Sequence, residues 1–294
     1  MSSQTGAKLR LIFAMTAFGT LGLFIRAIPL PSSVIALVRG AVGAGFLLLV
    51  CALRRTAPNK TAIRRNLKFL LPCGIAMGFN WILLFEAYRY TTVAVATLCY
   101  YLSPVIILLL SPLLLKERLT GLKAGCIAAA LLGMFLVSGV VQSGGSSTFS
   151  FTGILLGLGA AVLYAFIVLL SKQLTHISSY DTTIMELGIS AVVMLIYNLV
   201  TVDLTALTCP PVGLVSLAVV AIFHTGICYA MYFGAIPLLS AQTAALFSYI
   251  DPVVAILLSA IFLHESMDAL SILGAVLILG STLFGELMEG WKKA

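Results

Sequence analysis

Four ionisable side chains lie inside long apolar stretches of this chain: Arg39, Glu186, His224 and Asp251. A charge in such surroundings is costly unless it has a partner, so each is a candidate for binding a proton, an ion or a charged substrate. His224 titrates near neutral pH, which suits proton coupling. Asp251 precedes Pro252, which has no N–H and leaves a backbone carbonyl one turn earlier free to bind a cation. The alternative for each residue is a structural hydrogen bond that locks its helix.

Amide and aromatic side chains occur in the same apolar stretches. The Asn80 amide can hydrogen-bond an amine or a carboxylate, and the neighbouring Trp81 can stack on an aromatic or cationic group. Tyr101, Tyr229 and Tyr249 add surface that is apolar with a polar tip. We expect these five residues and His224 to border one water-accessible space, with Arg39 acting beside them on a substrate.

The composition requires a bilayer around these residues. The chain has 294 residues, of which 61% are hydrophobic and 9% charged, whereas soluble domains are about a quarter charged. The apolar stretches are continuous rather than alternating, which favours helices over a barrel. Since a spanning helix needs about 20 apolar residues, we predict an all-α integral membrane protein with about ten transmembrane helices. The expected spans are 9–28, 33–53, 67–87, 93–115, 122–141, 152–172, 182–201, 214–234, 240–263 and 270–289.

The basic residues orient the protein in the membrane. The formal net charge is +7, but nearly all Lys and Arg residues fall in the loops that share one face if the N-terminus is inside. Because such loops are cytoplasmic, we expect a plasma (cell inner) membrane protein with both termini in the cytoplasm. The positive charge is therefore explained by the orientation in the membrane, and we expect no nucleic-acid partner.

The cysteines and glycines indicate neither a metal site nor a cofactor. The six cysteines form no C-x-x-C pair and have no metal-ligand spacing. No G-x-x-x-x-G-K-[ST] motif is present to support direct ATP coupling.

The segment around Asp251-Pro252 has a counterpart 148 residues earlier, at Ser103-Pro104. The two prolines are therefore expected at equivalent hinges. Nearly the same offset aligns further pairs: Tyr101 with Tyr249, Trp81 with Tyr229, Glu117 with Glu265 and, within a unit or two, Arg39 with Glu186.

This duplication divides the chain into two repeats, 1–141 and 152–294, joined by an extracytoplasmic linker at 142–151. With about five spans each, an odd number, the repeats must enter the membrane in opposite orientations. Inverted repeats place a transport pathway at their interface and allow two states, one open to each side.

The fifth expected span carries Gly121, Gly125, Ala129 and Gly133 at four-residue intervals. Small residues on one stripe let another helix approach closely. We expect packing inside the bundle, with a homodimer seam as the alternative.

The pattern resembles the drug/metabolite transporter superfamily, specifically its EamA-type members. In that family the fourth and ninth spans carry a mid-helix proline and end in an acidic residue, as Pro104 with Glu117 and Pro252 with Glu265 do here. The resemblance implies a transporter of small polar metabolites, often an exporter of amino acids.

Aromatic residues at the front of the first and sixth spans are also usual in that family; here they are Phe18 and Tyr164. We therefore expect a secondary transporter that exports amino acids or related amines by alternating access, with protons as a candidate coupling ion. Uptake of an organic cation, suggested by Asp251, Glu186 and the aromatic residues, is the alternative. An integral-membrane enzyme would need a nucleophile–base set or metal cluster, for which the chain offers no readable spacing.

The orientation can be tested with cysteine labelling in a Cys209→Ser background. Ser146→Cys, in the expected outer linker, should react with an impermeant thiol reagent added to whole cells. Asn59→Cys, in the expected inner loop, should not. Labelling of Asn59→Cys alone would show that the orientation is the opposite of the one predicted.

Overall fold

The computed structural model describes residues 3–25, 27–90, 96, 99–115, 120–137, 151–203, 205, 207–262 and scattered positions between 269 and 288. Regular structure in these residues is helical throughout. The helices are α1 (Ser3–Gly19), α2 (Leu21–Ile25), α3 (Ser32–Leu53), α4 (Lys60–Tyr90), α5 (Ser103–Leu115), α6 (Gly121–Val137), α7 (Phe151–Ser171), α8 (Ser179–Thr201), α9 (Pro211–Val219), α10 (Cys228–Ala235), α11 (Ala241–Phe247) and α12 (Ile250–Phe262). A π-helical segment, Val220–Ile227, joins α9 to α10, and a 3₁₀ turn, Ile236–Leu238, follows α10.

Within the described residues, six of the expected spans are helices long and apolar enough to cross a membrane. Two shorter apolar helices, Ser103–Leu115 and Gly121–Leu136, lie within the expected fourth and fifth spans. Large apolar side chains such as Leu53, Leu113 and Val200 are exposed on the outside, as lipid-facing surface requires. The chain is thus a multi-pass membrane protein, and the total of ten spans stays a prediction.

The third expected span covers only part of its helix, because apolarity locates the membrane and not the start of the helix. Helix α4 begins at Lys60 rather than at 67, where the Asn59 side chain accepts a hydrogen bond of 3.0 Å from the Ala62 N–H. That cap satisfies one of the N–H groups left free at a helix start. The helix therefore extends through the basic loop before it enters the apolar region.

The expected ninth span is broken rather than kinked. A turn at Ser248 and Tyr249 separates α11 from α12. Pro252 then lies in the first turn of α12, where its missing N–H is not needed. The first repeat has the same design, since Tyr101 and Leu102 form a turn and Pro104 follows in the first turn of α5.

The helices of the two halves pack in exchanged pairs. The main contacts between helices of the first half and helices of the second are matched by contacts between their equivalents. Helix α4 packs on α7, and the equivalent pair α10 and α1 is also in contact. Helix α4 packs on α8, and the equivalent π segment and α3 are in contact too. Likewise α5 packs on α7 as α1 packs on α12, while α3 meets α8 and α5 meets α11. Contacts that repeat with exchanged roles define a two-fold interface. Equivalent residues near its axis must therefore lie close together.

The stripe of small residues on α6 has two environments. A Cβ on Gly133 would lie 2.5 Å from the Gly274 carbonyl oxygen, so this end packs inside the bundle as predicted. Gly121 and Gly125 instead line an open groove of about 510 Å³ that they share with Val276 and other residues. The linker, Glu117 and Glu265 lie outside the described residues.

Candidate functional site

Eight aromatic side chains follow one another along the interface between the halves. Neighbouring ring centroids are 5.2 to 6.4 Å apart, except at Tyr232 and Tyr164, whose hydroxyls share a 2.8 Å hydrogen bond. We call this series the aromatic chain; in order it is Trp81, Tyr229, Phe18, Tyr232, Tyr164, Tyr100, Tyr101 and Tyr249.

The aromatic chain follows the two-fold relation of the repeats. Its rings come from six spans, three in each half, and six of them form three equivalent pairs: Phe18 with Tyr164, Trp81 with Tyr229, and Tyr101 with Tyr249. The last pair lies at the axis, because Tyr101 and Tyr249 stack at 6.2 Å and the Tyr249 hydroxyl donates to the Tyr101 carbonyl at 3.1 Å. Two residues that the duplication makes equivalent in the sequence are therefore in direct contact in the structure.

Arg39 lies at one end of the aromatic chain. Its side chain is 4% exposed, and its guanidinium carbon is 5.0 Å from the centre of the Trp81 ring. Its Nε donates a 3.0 Å hydrogen bond to Thr225 Oγ1, and Tyr229 is within hydrogen-bonding reach. Among the described residues no carboxylate forms an ion pair with Arg39. The buried cation is therefore held by neutral groups only.

The π segment is what brings Thr225 to Arg39. Thr225 Oγ1 donates to the Val220 carbonyl, five residues earlier, at 2.9 Å. A helix wound in this way is rare and occurs mostly at functional sites. The oxygen of Thr225 is thereby held in place to accept from Arg39.

Asp251 lies at the other end of the aromatic chain. It is the second residue of α12, where the free N–H groups of the first turn favour a negative charge. The side chain is partly exposed, and Tyr101 is within hydrogen-bonding reach of it. Gly19 allows α1 to approach closely, because a Cβ there would lie 2.7 Å from the Asp251 carbonyl oxygen.

The middle of the aromatic chain is partly open. Phe18, Tyr100, Tyr164 and Tyr229 are each partly exposed although they lie between the two halves. Arg39 and Asp251 are both close enough to Tyr229 to act electrostatically on its hydroxyl. A cation and an anion thus face one ring-lined region. Such an arrangement can hold a small molecule that carries both an acid and an amine.

Two of the predicted site residues make hydrogen bonds elsewhere. Asn80 is 3% exposed and donates to the Ala160 carbonyl at 2.6 Å, which ties α4 to α7. His224 is fully buried, and its Nε2 hydrogen-bonds Thr20 Oγ1 at 2.7 Å beside the Phe24 ring. The structure therefore joins Trp81, Tyr229 and the pair at the axis, and gives Asn80 and His224 other partners.

Glu186 lies apart from Arg39 although the two align in the sequence. It is fully buried on α8, beside Cys73 of α4. Neither of its carboxylate oxygens has a hydrogen-bond partner. The chain thus places these two buried ionisable side chains in separate environments.

The role of Thr225 was not predicted from the sequence. Its only signal was a second polar residue beside His224 in an apolar span. The π segment hides that signal, because an extra residue per turn shifts the face on which each later side chain lies.

The comparisons with known proteins agree with this architecture. The model of the EamA-like transporter family matches residues 7–139 and 151–285. The chain is 29% identical to the uncharacterized transporter YxxF of Bacillus subtilis (strain 168), over 94% of this chain and 88% of that protein. It is 26% identical to an uncharacterized transporter of Clostridium kluyveri, over 81% and 78%.

The fold also matches a solved protein. A crystal structure that is 17% identical superposes with a TM-score of 0.84, over 97% of this chain and 99% of that chain. This likeness supports the fold alone.

The Arg39–Thr225 contact can be tested by thermal unfolding of the purified protein. Thr225→Val should lower the free energy of unfolding by about 1 to 3 kcal/mol, because it leaves a buried guanidinium N–H without its acceptor. Thr201→Val is the matched control, since Thr201 Oγ1 also bonds a backbone carbonyl, that of Tyr197, but is exposed. Equal losses in the two variants would contradict a special role for Thr225.

Proposed function

Because the chain belongs to the EamA-like transporter family, we propose that it exports amino acids, or closely related amines, across the plasma membrane. The proposal rests on one observation above all: Arg39 and Asp251 both lie close enough to Tyr229 to act electrostatically on its hydroxyl, so a cation and an acid flank the same ring. The pathway would run between the two halves, where that chain lies.

Arg39 supports an anionic group on the substrate. A buried charge without an opposite charge is unfavourable, and a guanidinium offers five N–H donors in a fork that matches a carboxylate. Thr225 and Tyr229 account for only part of these donors. The substrate carboxylate would accept hydrogen bonds from the remaining N–H donors of Arg39.

Asp251 supports a cationic group on the same molecule. A protonated amine would pair with its carboxylate, and the neighbouring ring faces would add cation–π attraction. The side chain of the substrate would lie along Phe18, Tyr164 and Tyr229. Their partly exposed rings favour an apolar side chain.

The broken helices support alternating access. The turns before α5 and before α12 are equivalent, so each half has a matching place where a helix can bend without losing helical hydrogen bonds. Pro104 and Pro252 mark these places. The exchanged packing of the halves would allow a second arrangement in which the site faces the other side.

Export of an organic cation, or its uptake, is the second candidate. Asp251 is partly exposed whereas Arg39 is 4% exposed. A substrate that met only Asp251 and the rings would need no carboxylate.

A set of three ligands separates the two candidates. The set is an apolar amino acid, the amine that lacks its carboxylate and the acid that lacks its amine. A ligand that binds the folded protein raises its unfolding temperature by mass action. We expect the amino acid to raise it and the two fragments to have little effect. Equal stabilisation by the amine would favour the organic-cation transporter.

Flux into proteoliposomes then tests the two charges. Asp251→Asn keeps the size of the side chain but cannot ionise, so it should leave the protein folded and abolish amino-acid flux. Arg39→Gln should weaken binding by about 10- to 100-fold, the effect of losing a hydrogen bond to a charged group. Arg10→Gln, at an exposed residue of α1, is the control and should transport normally. Normal flux in Asp251→Asn would show that Asp251 has a structural role and does not bind the substrate.

A further inference from the structure

A group of buried polar atoms lies between α4, α7 and α8, away from the aromatic chain. Glu186 is fully buried, and neither of its carboxylate oxygens has a hydrogen-bond partner. The hydroxyls of Ser171 and Ser190, at 1% and 0% exposure, also lack partners. The Cys73 thiol lies beside both Glu186 and Ser171. We call these four residues the Glu186 cluster.

The helices around the cluster pack closely. A Cβ on Gly74 would lie 2.6 Å from Ile189 Cβ and 3.0 Å from the Glu186 carbonyl oxygen, so the backbone of α4 packs directly on the Ile189 side chain and on the backbone of α8. On the other side of α8, a Cβ on Gly40 of α3 would lie 3.1 Å from the Leu187 carbonyl oxygen. Packing this close favours a ligand smaller than a hydrated metal ion.

Few charged groups face Glu186 from the surrounding helices. Cys73 is the titratable side chain that α4 places against it. Arg39 of α3 does not face Glu186, because it is hydrogen-bonded to Thr225 and packs on the Trp81 ring. The tyrosines of α10, which also packs on α8, belong to the aromatic chain. Helix α7 contributes Ser171, and on α8 itself Asp181 lies in the first turn beside the Ser178 cap. Within the described residues no cation forms an ion pair with Glu186.

We propose that Glu186 is a proton-binding site that holds its proton in this conformation. An ionised carboxylate whose neighbouring donor is a weak one, the Cys73 thiol, is strongly unfavourable in an apolar interior. A proton removes that charge and needs no more room than the packing leaves.

The proton would couple to transport through the helix that carries it. Glu186 lies on α8, which packs on α3 and on α4, so a rearrangement of the halves must change the seam that seals it. When the seam opens to water, the O–H bond breaks, the proton passes to a water molecule and the carboxylate remains. This part of the proposal rests on the proposed transport function, whereas the bound proton does not.

Infrared spectroscopy of the purified protein in lipid tests the bound proton without any substrate. The probe is the carbonyl absorption of a protonated carboxyl, in samples whose glutamates are carbon-13 labelled to separate them from aspartates. At neutral pH we expect one such glutamate band, lost in Glu186→Gln. The band should persist in Glu86→Gln, the matched control on α4. A wild-type spectrum without the band, or a band that survives in Glu186→Gln, overturns the proposal.

Cys73→Ala keeps the test decisive if Glu186→Gln does not fold. It should shift the same band without removing it, because the carboxyl loses the thiol beside it. A band that Cys73→Ala leaves unmoved does not belong to Glu186. Loss of the band on exchange of potassium for sodium would show that a metal cation occupies the site, which also contradicts the proposal.

Amino-acid flux in proteoliposomes tests the coupling separately. Glu186→Gln should still exchange amino acid across the membrane but should no longer respond to an imposed pH gradient. A response equal to that of the wild type overturns the coupling role even if the band is present. If the wild-type protein moves no amino acid, the proposed substrate is wrong and the infrared result still decides the proton site.

Discussion

A charged or polar side chain inside a bilayer must find its partner within the protein, because no water is there to supply one. This constraint explains the arrangement of the polar residues. Asn80 and His224 satisfy it with a backbone carbonyl and a threonine hydroxyl. Arg39 has neutral partners only, and Glu186 has the Cys73 thiol beside it but no hydrogen bond that meets ordinary geometry. Arg39 and Glu186 are the residues to which we assign a substrate and a proton.

The duplication supplies a symmetric frame, and the charges break the symmetry. Three equivalent pairs of rings build most of the aromatic chain, and the pair at the axis, Tyr101 and Tyr249, is in direct contact. At the positions that carry charge the repeats differ. Arg39 aligns with Glu186, and Asp251 aligns with Ser103. A symmetric frame suits a protein that must open to either side, while unequal charges give the site an acidic and a basic end.

The sequence predicted the repeat, the family and the six spans that the described residues show as long apolar helices, because apolarity and an offset of 148 residues are visible without a structure. That offset also predicted that Tyr101 and Tyr249 are equivalent, and a two-fold axis then made them neighbours. It could not place Asn80 and His224, because depth in the membrane does not reveal which way a helix face is turned. It could not reveal Thr225 either, since the π segment changes the helical period at that residue.

The most direct measurement is an experimental structure, in lipid, with an apolar amino acid bound. The account predicts density between the two halves along Phe18, Tyr164 and Tyr229, with the carboxylate on Arg39 and the amine on Asp251. It also predicts that Glu186 stays outside the contact with the ligand. A ligand bound away from the aromatic chain, or one whose amine and carboxylate contact neither Arg39 nor Asp251, would contradict the account.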